Sequence, residues 1–284
     1  MGAHPLTTTD WLSDHLRDLD VRVLDASWYL PSDARDTRAE YSLEHIPGAE
    51  FFDIDAIADQ QSSLPHMMPP SDRFAAAVQR LGIGDENFIV IYDTKGVYSS
   101  PRVWWAFHAM GHKNCAVLDG GLAKWRMEKH PTTASPHAKL QGSFSPAPKL
   151  DLLRTRSDML QCIESGTVQV LDARSPSRFA GLEQEPRPGV KPGHIPGSHN
   201  VYYADLINDD GTMRSANELR AVFDKARIEL SRPIVTTCGS GITAAIVFLA
   251  AKIAGASQIS LYDGSWAEWG SMQYASIETG PARA

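Results

Sequence analysis

Two kinds of apolar segment alternate along the chain, short β-branched runs and longer stretches that are hydrophobic on most faces. Segments at 101–110 and 243–254 follow loops of small residues and predict buried helices. Strands alternating with helices predict an α/β fold in which a mainly parallel sheet is flanked by helices. The short runs predict buried β-strands at 21–25, 88–92, 168–172 and 233–237.

Three sequence blocks occur twice in the same order and at a nearly constant separation, which predicts a duplicated domain. The pairs are VRVLDA (21–26) with VQVLDA (168–173), HIPGA (45–49) with HIPGS (194–198), and VLDGGLAKW (117–125) with SLYDGSWAEW (260–269). The last pair matches after the insertion of one residue.

The two copies are separated by a segment with the composition of a linker. Residues 131–150 contain four prolines among Ser, Thr, Ala and Lys. Proline stiffens an extended chain and removes backbone donors, so this segment is predicted to connect two domains. We therefore predict domains at 1–130 and 151–284, joined by a linker at 131–150.

The net charge and the hydropathy limit the classes of partner. The 27 Lys and Arg against 34 Asp and Glu give a charge of −7. Because surfaces that bind nucleic acid usually carry a basic excess, no nucleic acid partner is expected. No apolar stretch is long enough to cross a bilayer, so no membrane association is expected. The first residues have no basic and apolar leader, and we expect a cytoplasmic protein.

The cysteines indicate neither a disulfide framework nor a zinc site. Cys115, Cys162 and Cys238 are odd in number and form no CxxC pair. The simplest interpretation is a chain with reduced thiols and no bound metal. Cys115 and Cys162 have no unusual sequence around them and are interpreted as structural residues.

Cys238 stands directly after the predicted strand 233–237, where parallel sheets bind their ligands. The segment 238–243 has the sequence CGSGIT and leads into a helix. Such a loop can turn backbone N–H groups towards an anion, and the helix dipole adds to the effect. Both favour a nucleophilic thiolate at Cys238. The alternative interpretation is a buried structural cysteine. Asp93 takes the equivalent position in the first copy, which is therefore predicted to be inactive.

The duplicated domain, the two HIPG turns and the CGSGIT loop resemble the tandem rhodanese-fold sulfurtransferases. The loop is most similar to that of the 3-mercaptopyruvate sulfurtransferases, because thiosulfate sulfurtransferases typically carry basic residues directly after the cysteine. Cysteine phosphatases use a related loop, Cys-x5-Arg, in which the arginine grips the phosphate. The sixth residue after Cys238 is Ala244, so that grip is missing.

The resemblance implies two rhodanese-like domains and a set of substrate-binding residues. Matched by position, Arg178 and the Arg187 of a Glu-Pro-Arg motif would bind the carboxylate and carbonyl of a small 2-oxo acid. The loop residues that would surround the transferred sulfur are Gly239, Gly241, Ile242 and Thr243.

The resemblance also implies a proton relay of a serine, a histidine and an aspartate drawn from both domains. Ser240 lies in the loop, and Asp55 and His66 match the segment that the family uses in its first domain. Histidine titrates near neutral pH and suits this work. Both HIPG turns contain a histidine, His45 and His194. A feature shared with the inactive copy indicates a scaffold role, so neither is assigned to catalysis.

The reaction implied by the resemblance moves sulfur from 3-mercaptopyruvate to an acceptor through a Cys238 persulfide, releasing pyruvate. The acceptor would be a small thiol or a thioredoxin-like protein, or cyanide in vitro. No metal or organic cofactor is implied. Two alternatives remain open at this stage: a thiosulfate sulfurtransferase on the same scaffold, and a non-catalytic protein that binds sulfur or docks a partner.

Overall fold

The computed structural model describes residues 4–136 and 141–281, and the chain divides into two compact units. Residues 137–140 of the predicted linker and the outermost residues of both predicted domains lie outside the described part. One unit comprises Met1–Gln60, Met68–Lys149 and Asn208–Met213, and the other comprises Gln61–Met67, Leu150–Ile207 and Arg214–Ala284. Each unit therefore includes a short segment from the other sequence repeat, and the boundaries at 130 and 151 remain a prediction.

The first unit contains a five-stranded sheet, and one short 3-10 helix lies at Pro31–Asp33. Its strands pair in the order β1-β5-β4-β2-β3, and all of these pairs are parallel. The elements are β1 (Leu6–Thr7), α1 (Thr9–His15), β2 (Val21–Asp25), α2 (Thr37–Leu43), β3 (Ala49–Phe51), α3 (Ile54–Ile57), α4 (Ser71–Arg80), β4 (Phe88–Tyr92), α5 (Ser100–Ala109), β5 (Cys115–Leu118) and α6 (Gly121–Met127).

The second unit repeats this topology. Its strands pair in the order β6-β10-β9-β7-β8, again all parallel, and 3-10 helices lie at Leu150–Leu152 and Tyr203–Leu206. The elements are β6 (Leu153–Arg154), α7 (Arg156–Ser165), β7 (Gln169–Asp172), α8 (Pro176–Phe179), β8 (His199–Asn200), α9 (Ala216–Lys225), β9 (Ile234–Thr237), α10 (Ile242–Ala254), β10 (Ile259–Tyr262) and α11 (Ser265–Trp269).

The predicted α/β fold with a parallel sheet is confirmed in each unit. Strands β2 and β4 have the predicted bounds, and β7 and β9 each begin one residue later than predicted. The helices predicted at 101–110 and 243–254 begin one residue earlier. Pro233 lacks a backbone N–H and so cannot donate to a neighbouring strand, which explains the later start of β9.

Each sheet packs against a core of its own. In the first unit Val90, Leu118 and Trp125 belong to one buried cluster, and in the second Val235, Tyr262 and Trp266 do. Helix α10 is buried at ten of its thirteen positions, so it is hydrophobic on almost all faces. Burial of this kind holds the N-terminus of α10 in a fixed place at the end of β9.

The two HIPG turns have matching structural roles. His45 exchanges backbone hydrogen bonds with Thr133, and His194 exchanges them with Glu278. Each ring donates through Nδ1 to a carbonyl 2.8 Å away, that of Tyr41 for His45 and that of Phe179 for His194. Each ring also stacks on the aromatic ring of that same residue, with centroids 4.3 and 3.7 Å apart. These contacts agree with a scaffold role.

No helix among the described residues is long and apolar enough to span a membrane.

The scaffold role of the HIPG turns is testable at His194. Replacing His194 by alanine removes its stacking on Phe179 and its Nδ1 hydrogen bond, and we expect the free energy of unfolding to fall by about 2 kcal/mol. Denaturant unfolding measures this loss. The rate at which iodoacetamide alkylates Cys238 should stay within about twofold of wild type, since the His194 side chain contacts Phe179 and not the Cys238 loop. Unchanged stability together with lost Cys238 reactivity would contradict this role.

Candidate active site

Cys238 lies at the end of the central strand of the second sheet. Strand β9 pairs with β10 on one side and β7 on the other, and Thr237 lies opposite Asp172. The Cys238 side chain is 2% exposed, and the Gly241 N–H donates to its sulfur over 3.1 Å. The sulfur therefore lies where the loop between β9 and α10 turns its backbone inward, as predicted from the position of a ligand site in parallel sheets.

Helix α11 holds this loop from behind. The Cys238 carbonyl accepts the Trp266 N–H at 2.8 Å, and the Gly239 carbonyl accepts the Ala267 N–H at 2.9 Å. These two loop carbonyls are thus used by α11. Because these carbonyls are bound by α11, a backbone N–H and not a carbonyl oxygen faces the Cys238 sulfur.

Gly241 is the residue that turns the loop into helix α10. It is the N-cap of the helix and has a φ of +84°, a conformation that residues with a Cβ rarely adopt. The thirteen residues of α10 direct the positive end of the helix dipole towards the loop. Ser240 and Ile242 are buried on either side of Gly241, and Thr243 is half-buried in the first turn of the helix.

Arg178 lies against the same loop. It sits on the short helix α8, and a Cβ added at Gly239 would lie 3.2 Å from its Nη2 atom. The guanidinium therefore occupies the space that a side chain at 239 would need. Arg178 is partly exposed, at 23% of its side chain, and forms an ion pair with the buried carboxylate of Glu185. Arg187 lies in the loop between α8 and β8 and is half-buried.

The members of the predicted proton relay belong to different units. His66 lies in the segment Gln61–Met67, which groups with the second unit together with Ser240, and its side chain is 7% exposed. Asp55 lies in α3 of the first unit, where its carboxylate accepts the Trp28 Nε1–H at 3.0 Å. The relay of Ser240, His66 and Asp55 therefore remains a prediction.

The equivalent loop of the first unit is filled by a carboxylate. Asp93 follows β4 as Cys238 follows β9, and its Oδ2 atom accepts the backbone N–H groups of Tyr98, Ser99 and Ser100 at 2.9 to 3.0 Å. Its other oxygen accepts the Lys95 N–H at 2.9 Å. Burial raises the pKa of the Asp93 carboxyl, and these hydrogen bonds act against that rise. This strand-to-helix loop thus surrounds an acidic group with N–H donors, and in the first unit that group belongs to the chain itself.

The other two cysteines lie in different surroundings. Cys115 is buried in strand β5, and burial raises the pKa of its thiol. Cys162 lies on helix α7, where burial also raises the thiol pKa. Neither follows a strand at the point where a loop turns into a helix, so both agree with the structural interpretation.

Ser265 supports Cys238 and was missed by the sequence reasoning. Its hydroxyl accepts the Cys238 N–H at 3.3 Å and donates to the Tyr262 carbonyl at 2.9 Å. Ser265 is fully buried and has a φ of +49°, a strained value for a residue with a Cβ. The aligned position in the first repeat is Gly121, with a φ of +54°. This glycine-to-serine difference in the duplicated block was the signal that could have revealed it.

The described residues place no metal-ligating cluster around Cys238. One group of three potential ligands, Asp10, Glu128 and His130, lies in the first unit. There the ammonium of Lys124 already forms an ion pair with Glu128.

Comparison with known proteins identifies relatives of the whole chain. The model of the rhodanese-like domain matches residues 8–128 and again residues 155–272. The chain is 42% identical to human 3-mercaptopyruvate sulfurtransferase over 270 residues, which cover 93% of this chain and 91% of the human protein. It is 40% identical to mouse thiosulfate sulfurtransferase over 271 residues, with the same coverage of each chain.

The fold is also similar to that of a solved structure. The crystal structure of SseA from Escherichia coli, described among the 3-mercaptopyruvate sulfotransferases with the rhodanese fold, superposes with a TM-score of 0.85. The sequences are 34% identical, and the match covers 93% of this chain and 99% of the other.

The role of Ser265 can be separated from its strain with two variants. Ser265→Ala loses both hydroxyl hydrogen bonds but keeps the left-handed backbone, so we expect it to unfold with about 1–2 kcal/mol less free energy. Ser265→Gly also loses the bonds but relieves the strain, and it should stay closer to wild type in stability. Both should alkylate more slowly at Cys238. Wild-type stability and reactivity in Ser265→Ala would contradict the support role.

The filled loop of the first unit gives a further prediction. Asp93→Ala leaves its N–H donors without their acceptor and should lower the free energy of unfolding by about 2–4 kcal/mol. Added formate should restore part of the lost melting temperature by entering the vacated loop. Asp224→Ala, an exposed aspartate on α9, is the control and should show neither effect. An Asp93→Ala protein as stable as wild type would show that the carboxylate is not required.

Proposed function

This chain belongs to the rhodanese-like family, and from that premise we propose that it moves sulfur from 3-mercaptopyruvate to a thiol through a persulfide on Cys238. The resemblance described from the residues is confirmed for both repeats. The chain is an enzyme, a sulfurtransferase of the 3-mercaptopyruvate and thiosulfate type. The donor, the acceptor and the persulfide are the proposed part.

The observation that carries the proposal is the position of the Cys238 sulfur. It lies at the end of the central strand, beside the Gly241 N–H and the N-terminus of α10. The first unit supports the interpretation, because a carboxylate takes the same position there and is held by N–H donors. A thiolate or a persulfide anion would be stabilised by the same kind of surroundings.

The first half of the reaction forms the persulfide. The Cys238 thiolate attacks the sulfur of 3-mercaptopyruvate, a new S–S bond forms, and the C–S bond breaks with its electron pair moving onto the carbon. The resulting enolate of pyruvate takes up the proton that the substrate thiol loses. We propose that Ser240, His66 and Asp55 carry this proton, since a histidine suits transfer near neutral pH.

The second half regenerates the enzyme. The thiolate of an acceptor attacks the outer sulfur of the persulfide, its S–S bond to Cys238 breaks, and the electron pair returns to the Cys238 sulfur. The acceptor is a small thiol or a thioredoxin-like protein, and cyanide can replace it in vitro. Because pyruvate leaves before the acceptor reacts, the kinetics should be ping-pong.

Two arginines are proposed to bind the donor. Arg178 lies against Gly239 and has a partly exposed guanidinium, so it can bind a carboxylate close to Cys238. Arg187 is proposed to bind the carbonyl of the same 2-oxo acid, following the match of its Glu-Pro-Arg motif to the family. No metal or organic cofactor takes part in the proposed steps.

Thiosulfate is the second candidate donor. It is favoured by the 40% identity to mouse thiosulfate sulfurtransferase. The loop residues 239–243 include no basic side chain, which favours a donor with less negative charge. The values of kcat/KM for 3-mercaptopyruvate and thiosulfate, measured with one acceptor, decide between the two donors.

The proposal predicts that turnover depends on Cys238 alone among the three cysteines. Cys238→Ser should release pyruvate from 3-mercaptopyruvate at least about 1,000-fold more slowly, because its hydroxyl cannot carry sulfur. Cys162→Ser is the matched control and should keep the wild-type rate. Pyruvate release in Cys238→Ser at the wild-type rate would refute the mechanism, and a folded wild-type protein without turnover would refute the donor.

A further inference from the structure

A buried chain of four charged side chains leads from the sheet to the Cys238 loop. Asp172 ends β7, and the Arg174 guanidinium donates to both of its oxygens, from Nε at 3.0 Å and from Nη2 at 2.6 Å. Arg174 also donates from Nη1 to Glu185 over 2.7 Å. Glu185 in turn accepts Nη2 of Arg178 at 2.5 Å. Glu185 therefore links the buried Asp172–Arg174 pair to the partly exposed Arg178.

Glu185 has little freedom to move. Its side chain is 4% exposed, and that of Arg174 is 1% exposed. Arg174 is fixed further by the Gly193 carbonyl, 2.8 Å from Nη2, and by the Trp266 ring, whose centroid lies 4.5 Å from the guanidinium carbon. Because Arg174 is fixed, the Glu185 carboxylate bound to it is held in one position. Glu185 in turn fixes the orientation of the Arg178 guanidinium.

The contact with Glu185 also decides which edge of Arg178 remains open. The Nε and Nη2 atoms point towards Glu185, at 3.4 and 2.5 Å from its two oxygens. The Nη1 and Nη2 edge is left on the side of Gly239, where an added Cβ would lie 4.0 and 3.2 Å from these atoms. The guanidinium thus presents its end, with two nitrogens, beside the loop of Cys238.

The charges of these four side chains cancel. Two carboxylates and two guanidinium groups sum to zero, so the cluster that holds the N–H groups of Arg178 beside the loop has no net charge. The two candidate sulfur donors differ in their own negative charge. 3-Mercaptopyruvate carries one negative charge on its carboxylate, whereas thiosulfate carries two. A second charge on the donor gains less from a guanidinium whose charge Glu185 offsets than from an uncompensated one.

We propose that Glu185 sets the donor specificity of this enzyme: it aims Arg178 at the loop and cancels its charge, which favours singly charged over doubly charged sulfur donors. The proposal rests on the proposed function of Arg178 as a carboxylate-binding residue. Glu185 is thus a positioning residue, since it acts on the donor through Arg178.

The test compares the neutral variant Glu185→Gln with wild type on both donors. The ratio of kcat/KM for thiosulfate to kcat/KM for 3-mercaptopyruvate should rise by about tenfold, mainly through KM, because one negative charge close to the bound donor is removed. Glu183→Gln removes an equal charge from an exposed residue of the same loop and should leave the ratio unchanged. Glu185→Ala is a second neutral variant with the same expected rise, for use if the glutamine variant does not fold.

A second readout needs no turnover. Iodoacetate is an anion and iodoacetamide is neutral, so the ratio of their alkylation rates at Cys238 reports the charge near the sulfur. This ratio should also rise in Glu185→Gln and stay constant in Glu183→Gln. If wild type uses neither donor, the proposed function fails, and the alkylation ratio alone then tests the charge effect of Glu185. Ratios that stay at wild-type values in Glu185→Gln, or rise equally in Glu183→Gln, would overturn the inference.

Discussion

The site depends on one constraint, the need of inward-facing backbone N–H groups for a negative partner. Where a central strand meets a buried helix, loop carbonyls are bound elsewhere and backbone N–H groups face inward, several onto Asp93 in the first unit and that of Gly241 onto the Cys238 sulfur in the second. The first unit meets this need with the Asp93 carboxylate, which closes its loop permanently. The second unit places the Cys238 sulfur there, beside the Gly241 N–H. The two copies thus use the same place in the fold, directly after a central strand, for a carboxylate in one and a sulfur in the other.

The parts of the fold that depend on local pattern were predictable from the sequence. Strands β2 and β4 have the predicted bounds because β-branched runs and flanking polar residues define them independently of the rest of the chain. The duplicated blocks indicated which loops are equivalent in the two copies, and the strand prediction placed Cys238 directly after a buried strand. A ligand site at the C-terminal end of β9 was predictable too, since ligand sites in parallel sheets lie at that end of the strands.

Features that depend on contacts distant in sequence were not predictable in the same way. Ser265 reaches the backbone of Cys238 from 27 residues away, and in the sequence only its difference from the aligned Gly121 marks it. Glu185 appeared in the sequence as part of a motif, but its two arginine partners and its burial are properties of the fold. The segments Gln61–Met67 and Asn208–Met213 group with the unit of the other repeat, which no local composition signals. Domain boundaries drawn from linker composition cannot include such exchanges.

The central claim is that sulfur rests on Cys238 between the two halves of the reaction. Mass spectrometry of the intact protein tests it most directly, after incubation with 3-mercaptopyruvate in the absence of any acceptor and removal of the excess donor. The account predicts a mass gain of one sulfur atom, located by peptide mapping on Cys238 and lost on addition of a thiol. An unchanged mass in a protein that releases pyruvate, or a gain located on Cys162, would contradict it.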